Sequence, residues 1–465
     1  MKKIMHTKKY TKQVGVTLVE LMVAMAVSSV IMLGVSNIYV STKKSYVIHD
    51  EFARIQENGR YALDILSTDI RNAGYFGCSS GQPQREDGSA TIKNGLNGVD
   101  DVTFNLQTAV FGFDAVGTDI GTTTVMANPI VESGTPADWI TAAGLTTEST
   151  DAFGGFLSVA YNPVVPAQVA ARAIPGSDII ILRTTAPLGV NIAENNDSAQ
   201  VFLDDTTGGF VADACSHNTG SSAPAFRTDG ISGICEGDVL LISDCVKSRV
   251  FRAMNMTQKA GGAVGACGKP SLPCFNLTHN AGPNSQDNKA PPTWKDQDTY
   301  GPDAEIIKII TKTYFIGTNP GGAPAITEPT LYVRNDDGVP DPLIEGVENM
   351  QILYGVDTNG DGSANQYFSA NNVPDVDNPG ALAGETTPGL HTTFDGVVSV
   401  KISLLVRTPQ DMPGINRTPA DYANLTYNLI SPASPIIIDP IQVDAASTDR
   451  RMRRVYNLTI KIRNR

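Results

Sequence analysis

The sequence predicts an α+β fold in which one long N-terminal helix packs on a large antiparallel β-sheet body. Three observations lead there. An apolar run with a single charge occupies Val16 to Val40. Apolar residues at helical spacing continue beyond it to Ala73. Every legible strand then follows that helix, the order expected when helix and sheet are segregated along the chain.

Residues 1–15 are basic (Lys2, Lys3, Lys8, Lys9, Lys12), carry no acidic side chain and end at Gly15. A secretory signal peptide is cut after its apolar region, at small residues. Here the only sharp junction precedes that region. Cutting between Gly15 and Val16 removes the charges and leaves the apolar segment at the new N-terminus. Residues 16–40 number 25, and roughly 20 apolar residues suffice for ~30 Å of hydrocarbon. The basic leader stays cytoplasmic by the charge rule, which puts the C-terminal bulk across the membrane. Glu20 is the one charge in the segment. A lone carboxylate there costs on the order of 2.5–3.5 kcal/mol on insertion scales, so it calls for a partner or for a place near the wet interface.

Residues 41–73 read as the amphipathic second half of the same helix. Phe52, Ile55, Gly59, Ala62, Leu66, Ile70 and Ala73 recur at spacings of three and four, while Asp50, Glu57, Arg60, Asp64 and Arg71 lie opposite. Asn72-Ala73-Gly74 supplies the stop. A helix from Val16 to Ala73 spans about 87 Å at about 1.5 Å per residue.

Residues 74–465 form the body. The whole chain has 43 Gly, 28 Pro and 18% charged residues. A β-rich, loop-rich fold with a sizeable core is expected from that composition and length. Strands are legible at Asp178–Leu182, Val239–Ile242, Glu305–Ile316 with its hairpin partner Leu331–Arg334, Met350–Tyr354, Val398–Val406 and Leu458–Ile462. The tracts 79–173 and 260–301 read as loop insertions. Net charge is −13, and −18 without the five leader lysines. That balance argues against nucleic acid as a direct partner.

Six cysteines suit an oxidising compartment. They allow 15 connectivities, among which the sequence does not choose. Cys267 and Cys274 flank a Gly-Lys-Pro turn and are one candidate pair. Cys215–Cys235 is a second, and Cys78–Cys245 a third that would tie the end of the helix to the sheet. The stretch Asp357-Thr358-Asn359-Gly360-Asp361-Gly362-Ser363-Ala364-Asn365 has oxygen side chains at positions one, three, five and nine and Gly at six, the first part of an EF-hand-type calcium loop. Asp357, Asn359, Asp361, Ser363 (through its carbonyl) and Asn365 are the candidate ligands. Phe368 stands where the bidentate Glu belongs, and an ordinary Asx/Gly turn uses the same residues.

Enzyme signatures are absent from the sequence. The histidines (His6, His49, His217, His279, His391) show no pair at metal spacing, there is no Gly-x-Ser-x-Gly elbow, and Gly268-Lys269 is followed by Pro270. The C-terminal basic cluster (Arg450, Arg451, Arg453, Arg454, Lys461, Arg463, Arg465) has two readings: the solvated side of an edge strand, or a docking surface for an acidic neighbour.

The basic leader, Gly15 at the cut, Val16-Thr17-Leu18-Val19-Glu20-Leu21 and the lone Glu at the fifth mature position resemble type IV prepilins and pseudopilins. Within that class, Arg54–Leu63 running into Asp69–Cys78, Leu343–Met350 before Tyr354–Asp357, and Asp449–Arg454 resemble the PilW family of minor pilins. The resemblance implies cleavage by prepilin peptidase, N-methylation of Val16, and pairing of Glu20 with a neighbouring subunit's N-terminal amine. It implies other minor pilins, the major pilin and a PilY-type tip adhesin as partners. It also implies a single-pass inner-membrane protein with a periplasmic body, placed at the pilus tip after assembly, that primes assembly and supports adhesion and twitching motility. A minor pseudopilin of the type II secretion tip is the alternative within the class. A membrane-anchored periplasmic enzyme is the alternative outside it.

Overall fold

The computed structural model describes residues 15–78, most of 163–259 and 300–374, 396–410 and 451–463, with short stretches between. Leu18–Asn72 is one α-helix of 55 residues (α1). It runs on because no Pro interrupts it and its polar half keeps one apolar stripe. Ile55, Gly59, Ala62, Leu66 and Ile70 on that stripe are buried, while the first half of the helix is exposed all round. The helix stops where Gly74 adopts φ 76°. That is the left-handed conformation glycine tolerates at a helix end.

Of the twenty-three strands among the described residues, fifteen form most of the two main sheets. They are β1 (Ile92–Asn94), β2 (Val110–Ala115), β3 (Ile179–Glu194), β4 (Gln200–Asp204), β5 (Val239–Ser243), β6 (Ser248–Arg252), β7 (Asn255–Lys259), β8 (Cys274–Thr278), β9 (Glu305–Asn319), β10 (Ile326–Asn335), β11 (Asp341–Glu345), β12 (Val347–Val356), β13 (Gln366–Phe368), β14 (Val397–Arg407) and β15 (Arg453–Lys461). The larger sheet runs β1-β6-β5-β9-β3-β4-β8-β7, with β10 pairing the C-terminal half of β9, β11 pairing β10, and β2 on β3. The β1–β6 pair is parallel, and the other pairs among these strands are antiparallel. A second, antiparallel sheet runs β13-β12-β14-β15.

The long β3–β9 ribbon divides the larger sheet into two halves. Its proximal end, Ile180–Leu182 against Lys312–Tyr314, packs with α1 and the second sheet around Phe111, Phe113, Phe315, Ile352, Ile402 and Ile460. Its distal end carries β4 to β8, with one core on each face: Leu240, Ile242, Phe251 and Leu277 on one side, Leu241, Val250, Ile307 and Phe76 on the other. The two sheets are stitched by Asp178, whose carboxylate accepts Ala115 N at 3.0 Å and Ile352 N at 2.7 Å.

The expected strands all appear, the Glu305–Ile316 and Leu331–Arg334 hairpin among them, with Tyr314 opposite Val333. Two tracts read as loops are corrected. Val110–Ala115 is a buried strand paired to Ile179–Leu182, and Cys274–Thr278 pairs with both β4 and β7. Gly112 explains the first miss. Its backbone faces the fully buried Tyr354, whose Cζ lies 2.5 Å from where a Cβ would stand. The position therefore needs a residue that weakens the strand pattern.

Candidate functional site: the helix start and its clamp on the body

Thr17 is the N-cap of α1, in extended backbone at φ -75°, ψ 151°. Glu20 N donates to Thr17 Oγ1 at 3.2 Å, and the Glu20 carboxylate accepts from Thr17 N at 3.0 Å and Thr17 Oγ1 at 3.1 Å. This reciprocal capping box satisfies donors that a helix start leaves unpaired, and it sets a negative charge at the positive end of the helix. Glu20 thus has partners inside its own chain. The signal was legible, since Thr17-x-x-Glu20 is the capping-box pattern. Among the described residues nothing lies within 4 Å of a Cβ built on Gly15, so the Gly15–Val16 junction is open. Val16 and Leu18 are 73% and 75% exposed, at the start of the one described helix long and apolar enough to cross a membrane. Within that half, Ser29 Oγ donates to Met25 O at 2.8 Å. The bond gives a hydroxyl in an apolar segment its partner.

Three contacts clamp the second half of α1 to the body. Tyr456 of β15 lays its ring against Gly59 and donates its hydroxyl to Ile55 O at 3.0 Å. Asn58 Nδ2 donates to Glu345 O at 3.0 Å. Further along, Asp69 accepts from Lys312 Nζ at 2.9 Å and from the Tyr314 hydroxyl. Burial first, and the Asp69 carboxylate next, push the Tyr314 hydroxyl far above its usual range, so it stays a donor. Gly59, Asp69 and Tyr456 have no signature of their own in sequence beyond Gly59's place on the apolar face.

Arg451 and Arg453 turn inward with Arg407, which corrects both readings for these two, while Arg454, Lys461 and Arg463 are exposed along the edge strand and just past its end, as the solvated-edge reading expects. Glu348 accepts from Arg407 Nη1 at 3.1 Å and from Arg453 Nε and Nη2 at 2.5 and 2.8 Å. Glu328 accepts from Arg407 Nη2 at 2.7 Å and from Arg451 Nη1 and Nη2 at 2.7 and 3.1 Å. Arg454 lies over the Tyr456 ring, 5.4 Å from its centroid. The latch joins β10 of the larger sheet to β12, β14 and β15 of the second. Arg450 and Arg465 lie outside the described residues.

Burial pushes the Glu328 carboxyl up, but Arg451 and Arg407 outweigh it and hold the carboxyl below its ordinary value. A group lowered in this way contributes stability that is whole above its unfolded value and lost as pH falls through its folded value. Glu328→Gln is therefore expected to lower the denaturation midpoint at neutral pH. Its gap to the native chain should close as pH drops below about 4. A gap that stays constant well below that pH would show that the Glu328 charge is not what the arginines hold.

The Asp357 turn is exposed and largely closed on itself. The Asp357 carboxylate accepts from the backbone N–H groups of Asn359, Gly360, Asp361 and Gly362, with the Gly360 and Gly362 bonds at 2.7 and 2.6 Å. Desolvation by the turn raises its pKa, and these four amides outweigh that, leaving it lowered. Asp361 caps Ser363 N at 2.8 Å, and Asn365 Oδ1 accepts Thr358 N at 3.0 Å. Gly360 and Gly362 sit at φ 76° and 78°. The turn requires that left-handed backbone, which glycine adopts without a Cβ penalty. The residues expected as ligands share one turn, and Asp357 spends its oxygens as a backbone cap. Among the described residues no three acidic, histidine or cysteine side chains converge so as to hold a metal.

Of the candidate disulfides, Cys78–Cys245 is formed, across a sequence separation of 167. Closing a loop of that length is worth about 5 kcal/mol on the chain-entropy model. Cys235 is also disulfide-bonded. Cys215 and Cys267 lie outside the described residues, so the pairings Cys215–Cys235 and Cys267–Cys274 do too.

A family model of the prokaryotic N-terminal methylation motif matches residues 11–36, and a model of the Type IV Pilus-assembly protein W family (PilW) matches residues 313–464. No curated protein and no solved structure matches the chain. The first match holds Gly15, Val16, Thr17 and Glu20. The second starts inside β9 and holds Glu328, Glu348, Arg407, Arg451, Arg453 and Tyr456. These two matched stretches, brought onto one helix by the Gly59–Tyr456 contact, support this chain as a PilW-type pilin.

Proposed function

We propose that the chain acts by assembly rather than catalysis, as a minor pilin that helps prime a type IV pilus and forms part of its tip complex. Adhesion and twitching motility are then the activities it serves. The observation that carries this reading is the exposed apolar half of α1 with its carboxylate held at the helix start. Such a surface needs lipid before assembly and neighbouring helices after it. In this reading prepilin peptidase cuts between Gly15 and Val16, the Val16 amine is methylated, and the body stands in the periplasm. Glu20 then exchanges Thr17 for the amine of a neighbouring subunit. Other minor pilins, the major pilin and a PilY-type adhesin are the partners. The PilW match favours the pilus over a type II secretion pseudopilus.

Glu20→Val removes the one carboxylate from the apolar segment. Membrane insertion is expected to stay intact or improve, since the ~2.5–3.5 kcal/mol insertion cost disappears. Co-purification with the other minor pilins, and surface piliation, are expected to fall. Unchanged co-purification together with unchanged piliation would remove the pairing role.

A further inference from the structure

The tail of the spine ties α1 to the distal half of the larger sheet. The helix itself packs on β3, β11, β14 and β15. Beyond its end the chain follows the ribbon outward. Gly74 N donates to Arg183 O at 2.9 Å, Phe76 enters the core lined by Leu241 and Val250, and Gly77 meets Ile307. Cys78 then bonds to Cys245 in the turn between β5 and β6.

Both cysteines are exposed, and Val246 beside the bond is 83% exposed. Cys245 sits at φ 66°. A residue with a Cβ adopts that left-handed conformation at a cost, and cleavage of the bond frees it to relax. Cys78 Sγ lies 3.6 Å from Ser243 Oγ, close enough for the hydroxyl to donate to a thiolate on Cys78. Exposed bonds of this kind are the ones that exchange, whereas buried structural ones resist. We propose that Cys78–Cys245 is a reversible lock between the spine and the distal half of the sheet, opened by thiol–disulfide exchange with a dithiol protein. The biological setting rests on the exported placement of the body. The chemistry does not.

In the exchange, a thiolate of the incoming dithiol attacks Cys245 Sγ and forms a mixed disulfide. The Cys78–Cys245 bond breaks, and its electron pair leaves on Cys78 Sγ, which Ser243 Oγ stabilises until solvent protonates it. The second thiol of the dithiol then attacks its own partner sulfur and expels Cys245 as a thiolate, which is protonated in turn. Two electrons and two protons pass to this chain, and the dithiol departs as a disulfide. Phe76 and the Gly74 hydrogen bond still link the distal half to the spine, without a covalent tie. The second sheet stays clamped through Tyr456, and the proximal half of the larger sheet through Asn58 and Asp69.

The test uses the full chain in detergent, with dithiothreitol as the dithiol. Alkylation and mass spectrometry follow Cys78 and Cys245, and amide hydrogen exchange follows the strands. The pair is expected to become alkylated without denaturant, and reoxidation is expected to restore it. Exchange in β5 and β6 is expected to rise about tenfold or more while β14 and β15 keep their protection. The double variant Cys78→Ala/Cys245→Ala should reproduce that pattern with no reductant, which separates this bond from the one at Cys235. Three results would overturn the lock: cysteines that react only after denaturation, unchanged β5–β6 exchange in the variant, or equal loss of protection in both sheets. Because the assay needs neither a membrane nor a pilus, its failure leaves the pilin reading standing, and the converse holds as well.

Discussion

Glu348→Ala is expected to destabilise the body by about 3–5 kcal/mol, the cost of removing one partner from a buried ion pair. Glu348 is 3% exposed, and its two arginines, Arg407 and Arg453, are 5% and 2% exposed. Deleting the carboxylate takes a counter-charge from two guanidinium groups in a place where water hardly reaches them. Glu328 is already committed to Arg407 and Arg451 and does not replace it. Net stabilities of ordinary domains are about 5–15 kcal/mol, so a loss of this size is a large share of the total. Chemical denaturation of the solubilised chain measures it. Glu348→Gln keeps the shape and some acceptor capacity and should fall between Glu348→Ala and the native chain. A loss below about 1 kcal/mol for Glu348→Ala would mean that the latch behaves like an exposed ion pair.

Gly59→Ala sets two effects of opposite sign against each other. Helix propensity favours alanine over glycine by roughly 0.8–1 kcal/mol. The new Cβ would stand 2.5, 2.6 and 2.7 Å from three ring carbons of Tyr456. The ring can move only by giving up its hydrogen bond to Ile55 O. That bond is worth about 1 kcal/mol, on top of an overpacking cost of about 1–3 kcal/mol. Packing wins, and a net loss of about 1–3 kcal/mol is expected, with faster amide exchange in Arg453–Lys461. Gly34→Ala is the control on the same helix. Nothing lies within 4 Å of its Cβ, so the body should be unaffected. If Gly59→Ala proved neutral or stabilising, Tyr456 would not be the point where the last strand grips the spine.

The helix was legible in sequence nearly to its ends, Val16 to Ala73 against the observed Leu18–Asn72, because a long 3.6-residue period leaves little freedom. Its buried face was legible for the same reason, from Ile55 through Ile70. Strands with alternating or β-branched runs were legible too. Val110–Ala115 was not, since it is buried on both faces and carries a glycine in its middle. Arg451 and Arg453 of the basic cluster were misread because their partners stand far away in sequence: they lie 123 and 105 residues from the glutamates they bind, and Arg407, which joins them, lies 79 from Glu328. No local pattern announces such pairs. The Asp357 turn shows the opposite difficulty. Asp, Asn and Gly at those spacings suit a calcium loop and an amide-capping turn equally well, and the local pattern does not choose between them. At the helix start the same residues carry two messages. Thr17 and Glu20 belong to the prepilin pattern and also form the capping box.

In the proposed function this chain is a prepilin-type subunit whose mature form begins at Val16. Intact-mass analysis of the membrane-inserted protein, native chain beside Gly15→Leu, tests it most directly. The native chain is expected to lack residues 1–15 and to carry one methyl group on Val16, while Gly15→Leu accumulates at precursor mass. A native chain that retains its leader, or a Gly15→Leu chain cut after residue 15 and methylated as usual, would contradict the account.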